Sequence, residues 1–158
     1  MIPSVAELQS SLLKAARGMG LALGVGEDIA TAAPFILAAD EPNETLAQLL
    51  QQMESGQISD VITAIDSALV DGAATLTDTI EARALVASAS YKMQRVLVLI
   101  NGRIEATDAA KIDKAIPRRE TIDDGLWEQL QGFAARTYVP ATDASRLKGA
   151  GAGLSDND

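Results

Sequence analysis

The sequence predicts a single α+β domain in which helical layers pack on a small antiparallel sheet. The first observation behind this prediction is the run VLVLINGRIEAT over residues 96–107. Asn101-Gly102 tolerates the left-handed conformations of a tight type I′ turn, and β-branched residues flank it, so this run predicts a hairpin. The second observation is that several other stretches repeat apolar residues every three or four positions, as helices do. A hairpin alone is marginally stable, so we expect helices to cover it.

The first helix is predicted over residues 4–17 and begins with a capping box. Ser4 can accept a hydrogen bond from the free amides of the first turn, and Glu7 follows three residues later. The glycine-rich stretch 18–26 that comes next superficially suggests a phosphate-binding loop. The dinucleotide fingerprint needs a strand before its glycines, whereas a helix precedes these. We therefore interpret them as a turn with close helix packing.

Two more helices follow in the N-terminal part of the chain. The second is predicted over residues 27–39 and contains Pro34, which removes a backbone donor and should kink the helix or delay its start. Asn43 is expected to cap the third helix, and Gly56 is expected to end it. These helices are predicted to form one layer.

The middle of the chain is ambiguous over residues 58–70. A helical stripe runs through four apolar residues, Ile58, Ile62, Ile65 and Leu69. Short β-branched runs in the same segment also suit a strand, and we assign part of it to strand because periodicity alone does not separate short apolar runs. Residues 77–94 predict a helix, with Asp78 and Glu81 as its capping pair.

A charged connector over residues 109–120 leads to the last predicted helix. Asp123 or Asp124 is expected to cap this helix, which contains Trp127 and Phe133. Aromatic residues make up only 3% of the chain. Because large apolar side chains are so scarce, we expect both of these aromatic residues to lie in the core.

The chain contains neither cysteine nor histidine, which excludes several chemistries. Disulfides, metal sites with thiolate or imidazole ligands, and Ser-His-Asp or Cys-His catalysis are ruled out. We expect no cofactor and no metal site. The formal net charge of −9 repels phosphate backbones and anionic lipids, so we expect no nucleic-acid partner and no membrane partner. No stretch resembles a signal peptide or a membrane span, and we expect a cytoplasmic location.

A short match to serine acyl-enzyme motifs occurs near the C-terminus. Ser145 and Lys148 fit the S-x-x-K pattern, and residues 155–157 spell S-D-N. The match fails, because Ser11 and Lys14 fit S-x-x-K equally well on an ordinary amphipathic helix and no K-T-G follows. We therefore do not expect a serine acyl-enzyme.

Polar and cationic residues cluster between positions 136 and 148 of this acidic chain. The candidate ligand-binding residues are Arg136, Tyr138, Thr142, Asp143, Ser145, Arg146 and Lys148. An arginine can hold a carboxylate or phosphate through two hydrogen bonds, and Pro140 restricts the turn that presents the cluster. The same residues are also explained as cations at a helix C-terminus, a turn, and a short helix capped by Thr142. Both interpretations stay open from the sequence.

The C-terminal segment FAARTYVPATDASRLKGAGAGLSDND, residues 133–158, resembles the closing segment of a protein family, domain-of-unknown-function family 3726. Residues 14–18 (KAARG) resemble the opening of the same family. The family has no assigned activity to carry over. What the resemblance implies is that the glycine-rich tail is a family pattern rather than a frayed end.

We expect residues 1–148 to form one domain and residues 149–158 to form a glycine-rich tail. The favoured functional hypothesis is a non-catalytic binding or assembly module that docks on a protein partner or a second copy through residues 136–158. The scarcity of activatable nucleophiles and bases favours this hypothesis. The alternative is an enzyme or sensor for a small anionic metabolite bound by the cluster at residues 136–148, so whether the protein is an enzyme stays open.

Overall fold

The hairpin predicted over residues 96–107 is present in the computed structural model, which describes residues 1–108, 112 and 114–137. The elements, numbered in chain order, are helices α1 (Val5–Gly18), α2 (Leu23–Thr31), α3 (Ala33–Ala38), α4 (Pro42–Ser55), α5 (Ile58–Asp71), α6 (Ile80–Met93) and α7 (Asp124–Ala135), and strands β1 (Ala73–Thr75), β2 (Val96–Ile100) and β3 (Arg103–Thr107). Helices packed on a small antiparallel sheet confirm the predicted α+β fold.

The sheet has three antiparallel strands in the order β1-β3-β2. Val98 lies opposite Glu105 across the hairpin. Asn101 has φ of 51° and Gly102 has φ of 76°, which are the left-handed conformations that the Asn-Gly turn was predicted to adopt. Strand β1 was not anticipated. It pairs with β3 on the other side, with Ala74 opposite Ile104, so β3 is central and its Ile104 side chain is fully buried.

The core is aliphatic and continuous from the helices to the sheet. The largest fully buried side chains are Leu8, Leu12, Ile29, Ile36, Leu37, Leu46, Leu49, Leu50, Met53, Ile58, Ile104 and Ile122. Such a core is stabilised by close packing of many small pieces rather than by a few aromatic anchors. Among the helices of the described residues, none is both long and apolar enough to cross a membrane.

Residues 58–70 are helical throughout, so the assignment of part of this segment to strand is wrong. Helix α5 buries Ile58, Ile62 and Ile65. A β-branched residue lowers helix propensity by only about 0.5 kcal/mol, whereas burying an isoleucine side chain contributes about 1.5–3 kcal/mol. Packing of the apolar stripe therefore outweighs the local preference. Gly72 ends the helix with φ of 90°, a conformation that glycine adopts without strain.

The helix predicted over residues 27–39 is two helices, α2 and α3, which meet at Ala32. Pro34 lies in the first turn of α3, where its missing N–H needs no partner, so the proline starts a helix rather than kinking one. Helix α2 begins earlier than predicted. Gly24 and Gly26, which were expected in a turn, are therefore helical.

The capping box of α1 is confirmed, but the predicted cap of α4 is wrong. The amide of Glu7 donates to Ser4 Oγ at 3.2 Å, and the amide of Ser4 donates to Glu7 Oε2 at 2.7 Å. The hydrogen bond from the Ser4 amide lowers the pKa of Glu7. In α4, Glu41 occupies the N-cap position and Asn43 lies inside the first turn. Gly56 ends α4 as predicted.

Asn43 instead joins α4 to the segment that precedes α7. Its Nδ2 donates to the carbonyl of Thr121 at 2.9 Å, and its Oδ1 accepts from the amide of Asp123 at 2.9 Å. Between these two residues, the amide of Ile122 donates to the carbonyl of Met1 at 2.8 Å. These hydrogen bonds hold a segment without helix or strand against the core, with the Ile122 side chain fully buried.

The cap predicted for α6 is also wrong. Thr79 is the N-cap, and its hydroxyl accepts from the amide three residues later at 3.4 Å. Asp78 pairs with Arg83 through two hydrogen bonds of 2.6 and 3.0 Å, and these bonds lower the pKa of Asp78. Glu81, the other half of the predicted capping pair, is buried.

Helix α7 begins where predicted, although neither aspartate caps it in the expected way. Asp123 occupies the N-cap position, but its side chain accepts no capping hydrogen bond among the described residues. Asp124 accepts a hydrogen bond of 2.8 Å from the α-ammonium group of Met1, which lowers the pKa of Asp124. Phe133 is buried as predicted. Trp127 is only partly buried where it packs against the core, so the prediction that it is buried in the core is wrong.

Candidate functional site

Of the seven residues predicted to form an anion site, the structure describes Arg136. This residue follows the last turn of α7, and its guanidinium carbon lies 4.7 Å from the centroid of the Phe133 ring, within the range of a cation–π contact. The other six residues lie outside the described residues, namely Tyr138, Thr142, Asp143, Ser145, Arg146 and Lys148. Residues 149–158 lie outside them as well, so the C-terminal site stays a prediction.

The described residues contain a groove of about 310 Å³ between α3 and α6, here called the aromatic groove. It is lined by Gln9, Thr31, Pro34, Phe35, Ser88, Tyr91, Lys92, Lys114 and Ala115. The rings of Phe35 and Tyr91 lie 6.1 Å apart between centroids and are tilted by 56°, which is a favourable arrangement for an aromatic pair. Tyr91 is 41% exposed, so its ring presents an open apolar surface to the groove.

Two lysines line the aromatic groove, and they differ in whether a described residue compensates their charge. Lys92 Nζ donates to Asp28 Oδ1 at 2.7 Å, so its charge is compensated within the protein. Lys114 is exposed, and none of the ion pairs formed within the described residues includes it. No described residue compensates its ammonium charge, which can bind an anion beside the aromatic pair in a protein whose overall charge is negative.

Two of the residues that line the aromatic groove form a line of hydrogen-bonded hydroxyl groups. Ser88 Oγ donates to Thr31 Oγ1 at 3.4 Å, and Thr31 Oγ1 donates to the carbonyl of Asp28 at 2.9 Å. A smaller cavity of about 150 Å³ shares Thr31, Ser88 and Lys92 with the groove. Its remaining walls are largely aliphatic side chains of α5 and α6, together with the carboxylates of Asp28 and Asp66. These two carboxylates make the smaller cavity less favourable for a bound carboxylate than the aromatic groove.

The chemistry of the aromatic groove suits binding rather than nucleophilic catalysis. The buried hydroxyl of Ser88 donates to another hydroxyl and not to a general base, so nothing in this line of hydrogen bonds activates it. Among the described residues, no group of three or more carboxylates is placed to hold a metal ion. An aromatic surface next to a cation can hold a molecule that has an apolar body and one negative group.

The chain matches none of the protein-family models, curated proteins or solved structures with which it was compared. The resemblance of residues 133–158 to domain-of-unknown-function family 3726 accordingly stays a prediction. The function must be inferred from the groove itself.

The sequence contains only a weak signal for the aromatic groove. Tyr91 lies within the helix predicted over residues 77–94, and it lines the groove together with Ser88 and Lys92 of the same helix. The opposite wall comes from Phe35, which is more than fifty positions away in the chain. No spacing rule joins two residues so far apart, since their contact depends on how α3 packs on α6.

Proposed function

We propose that this protein is a non-catalytic binding module, and that the aromatic groove takes a small molecule with an aromatic body and one carboxylate. The observation that supports this proposal is the juxtaposition of the Phe35–Tyr91 ring pair with Lys114, whose charge no described residue neutralises. In the proposed complex, the ligand ring packs on Tyr91 and the carboxylate binds Lys114 at the exposed end. Cytoplasmic location is part of the same proposal, because soluble carboxylates are abundant metabolites there.

The first test is the binding of 3-phenylpropionate, measured by calorimetry. We expect saturable binding that Tyr91→Ala weakens about tenfold. Loss of one aromatic contact removes roughly 1 kcal/mol of binding free energy, in addition to the contribution of the apolar area that the ring buries. Lys114→Met should weaken binding by up to about fivefold, as is usual for a solvent-exposed ion pair. Tyr91 and Lys114 are exposed, so neither change should unfold the protein.

Two controls make this test specific. The neutral alcohol 3-phenylpropanol has the same body without the charge and should bind more weakly than the acid. Lys14→Met removes a lysine that is equally exposed but lies on α1 outside the groove, so it should leave affinity unchanged. Equal binding of acid and alcohol, or wild-type affinity in Tyr91→Ala, would contradict the proposal.

We also propose that residues 136–158 dock on a protein partner or a second copy of the chain. Two features support this: Arg136 is exposed at the end of α7 without an ion-pair partner among the described residues, and the tail resembles a family pattern. The alternative, a metabolite site formed by the cluster at residues 136–148, would make the protein a sensor or an enzyme. Binding of 3-phenylpropionate that is lost in Arg136→Ala but kept in Tyr91→Ala would favour that alternative.

Removal of residues 149–158 tests the docking proposal. We expect the shortened chain to have a lower oligomeric state than the full chain by light scattering. The same oligomeric state in both chains would count against docking through this segment.

A further inference from the structure

Glu81 stands out among the described residues because its burial is not matched by hydrogen bonding. Its side chain is only 2% exposed, and Oε2 is the buried side-chain polar atom that has no hydrogen-bond partner there. The other buried polar side chains differ: Ser90 Oγ, for example, accepts from the amide of Leu97 at 3.0 Å. A buried carboxylate oxygen without a donor is unfavourable, so its retention calls for an explanation.

The local environment of α6 explains only part of this burial. Glu81 lies in the first turn, where the helix dipole favours a negative charge. The hydroxyl of Thr79 accepts the hydrogen bond of the Ala82 amide, and it does not donate to Glu81 Oε2, which has no hydrogen-bond partner. Arg83 is the nearest cation along the helix, and both of its hydrogen bonds go to Asp78. Glu81 therefore lacks a compensating cation within its own helix turn.

Glu81 lines a cavity of about 350 Å³ between α4, α5 and the segment that joins β1 to α6. The polar wall includes Gln52, Asp60, Thr75 and Thr77, and the apolar wall includes Val61 and Leu76. None of the lining residues is lysine or arginine. The cavity thus has a buried carboxylate, a second carboxylate on its exposed side, and aliphatic surface between them.

We propose that this cavity binds a small aliphatic ammonium ion, with the Glu81 side chain turning so that an N–H group of the ligand donates to Oε2, which is closed to solvent in the unbound protein. An ammonium group supplies both the missing hydrogen-bond donor and a positive charge. Such charge-assisted hydrogen bonds are stronger than hydrogen bonds between neutral groups. Val61 and Leu76 contact the aliphatic body, while Asp60 adds negative potential at the mouth. This site is independent of the aromatic groove, with which it shares no lining residue.

The probe for this site is butylammonium chloride, whose binding is measured by calorimetry and by the shift of the thermal unfolding midpoint. Sodium chloride and butanol at the same concentrations are the controls. The wild-type protein should show saturable binding and a raised unfolding midpoint with the amine alone. Glu81→Gln should weaken binding at least tenfold. Without ligand, the same variant should unfold at a higher temperature than the wild type, because it removes a buried carboxylate oxygen that has no hydrogen-bond donor.

Two further variants keep the proposal falsifiable. Ala64→Met fills the cavity from the α5 side without touching the carboxylate, and it should also abolish binding. Glu44→Gln removes an exposed carboxylate from the first turn of α4, outside the cavity, and should bind the amine as the wild type does. Absence of amine binding to the wild type, or equal losses in Glu44→Gln and Glu81→Gln, would overturn the proposal. Glu81→Gln should still bind 3-phenylpropionate, which separates failure of this site from failure of the aromatic groove.

Discussion

Replacing Gly18 by alanine is expected to destabilise the protein by about 2 kcal/mol or more, because the new methyl group overpacks a helix contact. Gly18 ends α1 at the point where this helix crosses α7. A Cβ atom there would lie 2.0 Å from the carbonyl oxygen of Phe133. That oxygen belongs to the backbone of α7 and has no side-chain torsion that could move it away, so the two helices must separate. Urea denaturation followed by circular dichroism measures the loss.

Gly132→Ala is the matched control for this prediction. Gly132 lies within α7, and a Cβ added there would meet nothing within 4 Å. The change should therefore stabilise the protein by about 0.5–1 kcal/mol, the usual gain when alanine replaces glycine inside a helix. If Gly18→Ala unfolded at the same urea concentration as the wild type, the close approach of α1 and α7 would be wrong.

Replacing Ile122 by alanine is expected to lower the free energy of unfolding by about 2–5 kcal/mol, the range for truncating a buried isoleucine. Ile122 belongs to no helix or strand, yet it is fully buried. The hydrogen bonds of Asn43 to the residues on either side of it keep the backbone from closing around the cavity that alanine would leave. Urea denaturation of the purified variant checks this value.

Ile116→Ala is the control for this prediction. Ile116 precedes α7 in the same connecting segment and is 80% exposed. Its truncation should change the free energy of unfolding by no more than about 0.5 kcal/mol. Similar losses in both variants would mean that the segment before α7 does not pack as described.

Some features that depend on neighbouring residues could be predicted from the sequence, whereas features that depend on packing could not. The Asn101-Gly102 turn and the Ser4–Glu7 capping box each need residues only a few positions apart, and both predictions were confirmed. Residues 58–70 were assigned wrongly in part, because their short apolar runs suit both structures until α5 packs on the core. The sequence also shows nothing of the contact between Gly18 and Phe133, which requires two distant helices to cross.

The candidate sites follow the same division. Glu81 was predicted to be half of a capping pair, since Asp78 and Glu81 have the spacing of one. Its burial arises because α4 and α5 pack over the first turn of α6, which no local pattern reveals. Trp127 illustrates the converse, since its size favoured the core while its position on α7 places it at the edge. In both cases the tertiary contacts decide the role of the residue.

An NMR titration of the uniformly ¹⁵N-labelled full chain with 3-phenylpropionate tests the proposed binding function most directly. The aromatic groove predicts saturable amide shifts that cluster around Thr31, Phe35, Ser88 and Tyr91, with a single dissociation constant for all of them. Tyr91→Ala should reduce these shifts at equal ligand concentration. The absence of saturable shifts, or shifts confined to α7 and the residues that follow it, would contradict binding in the groove.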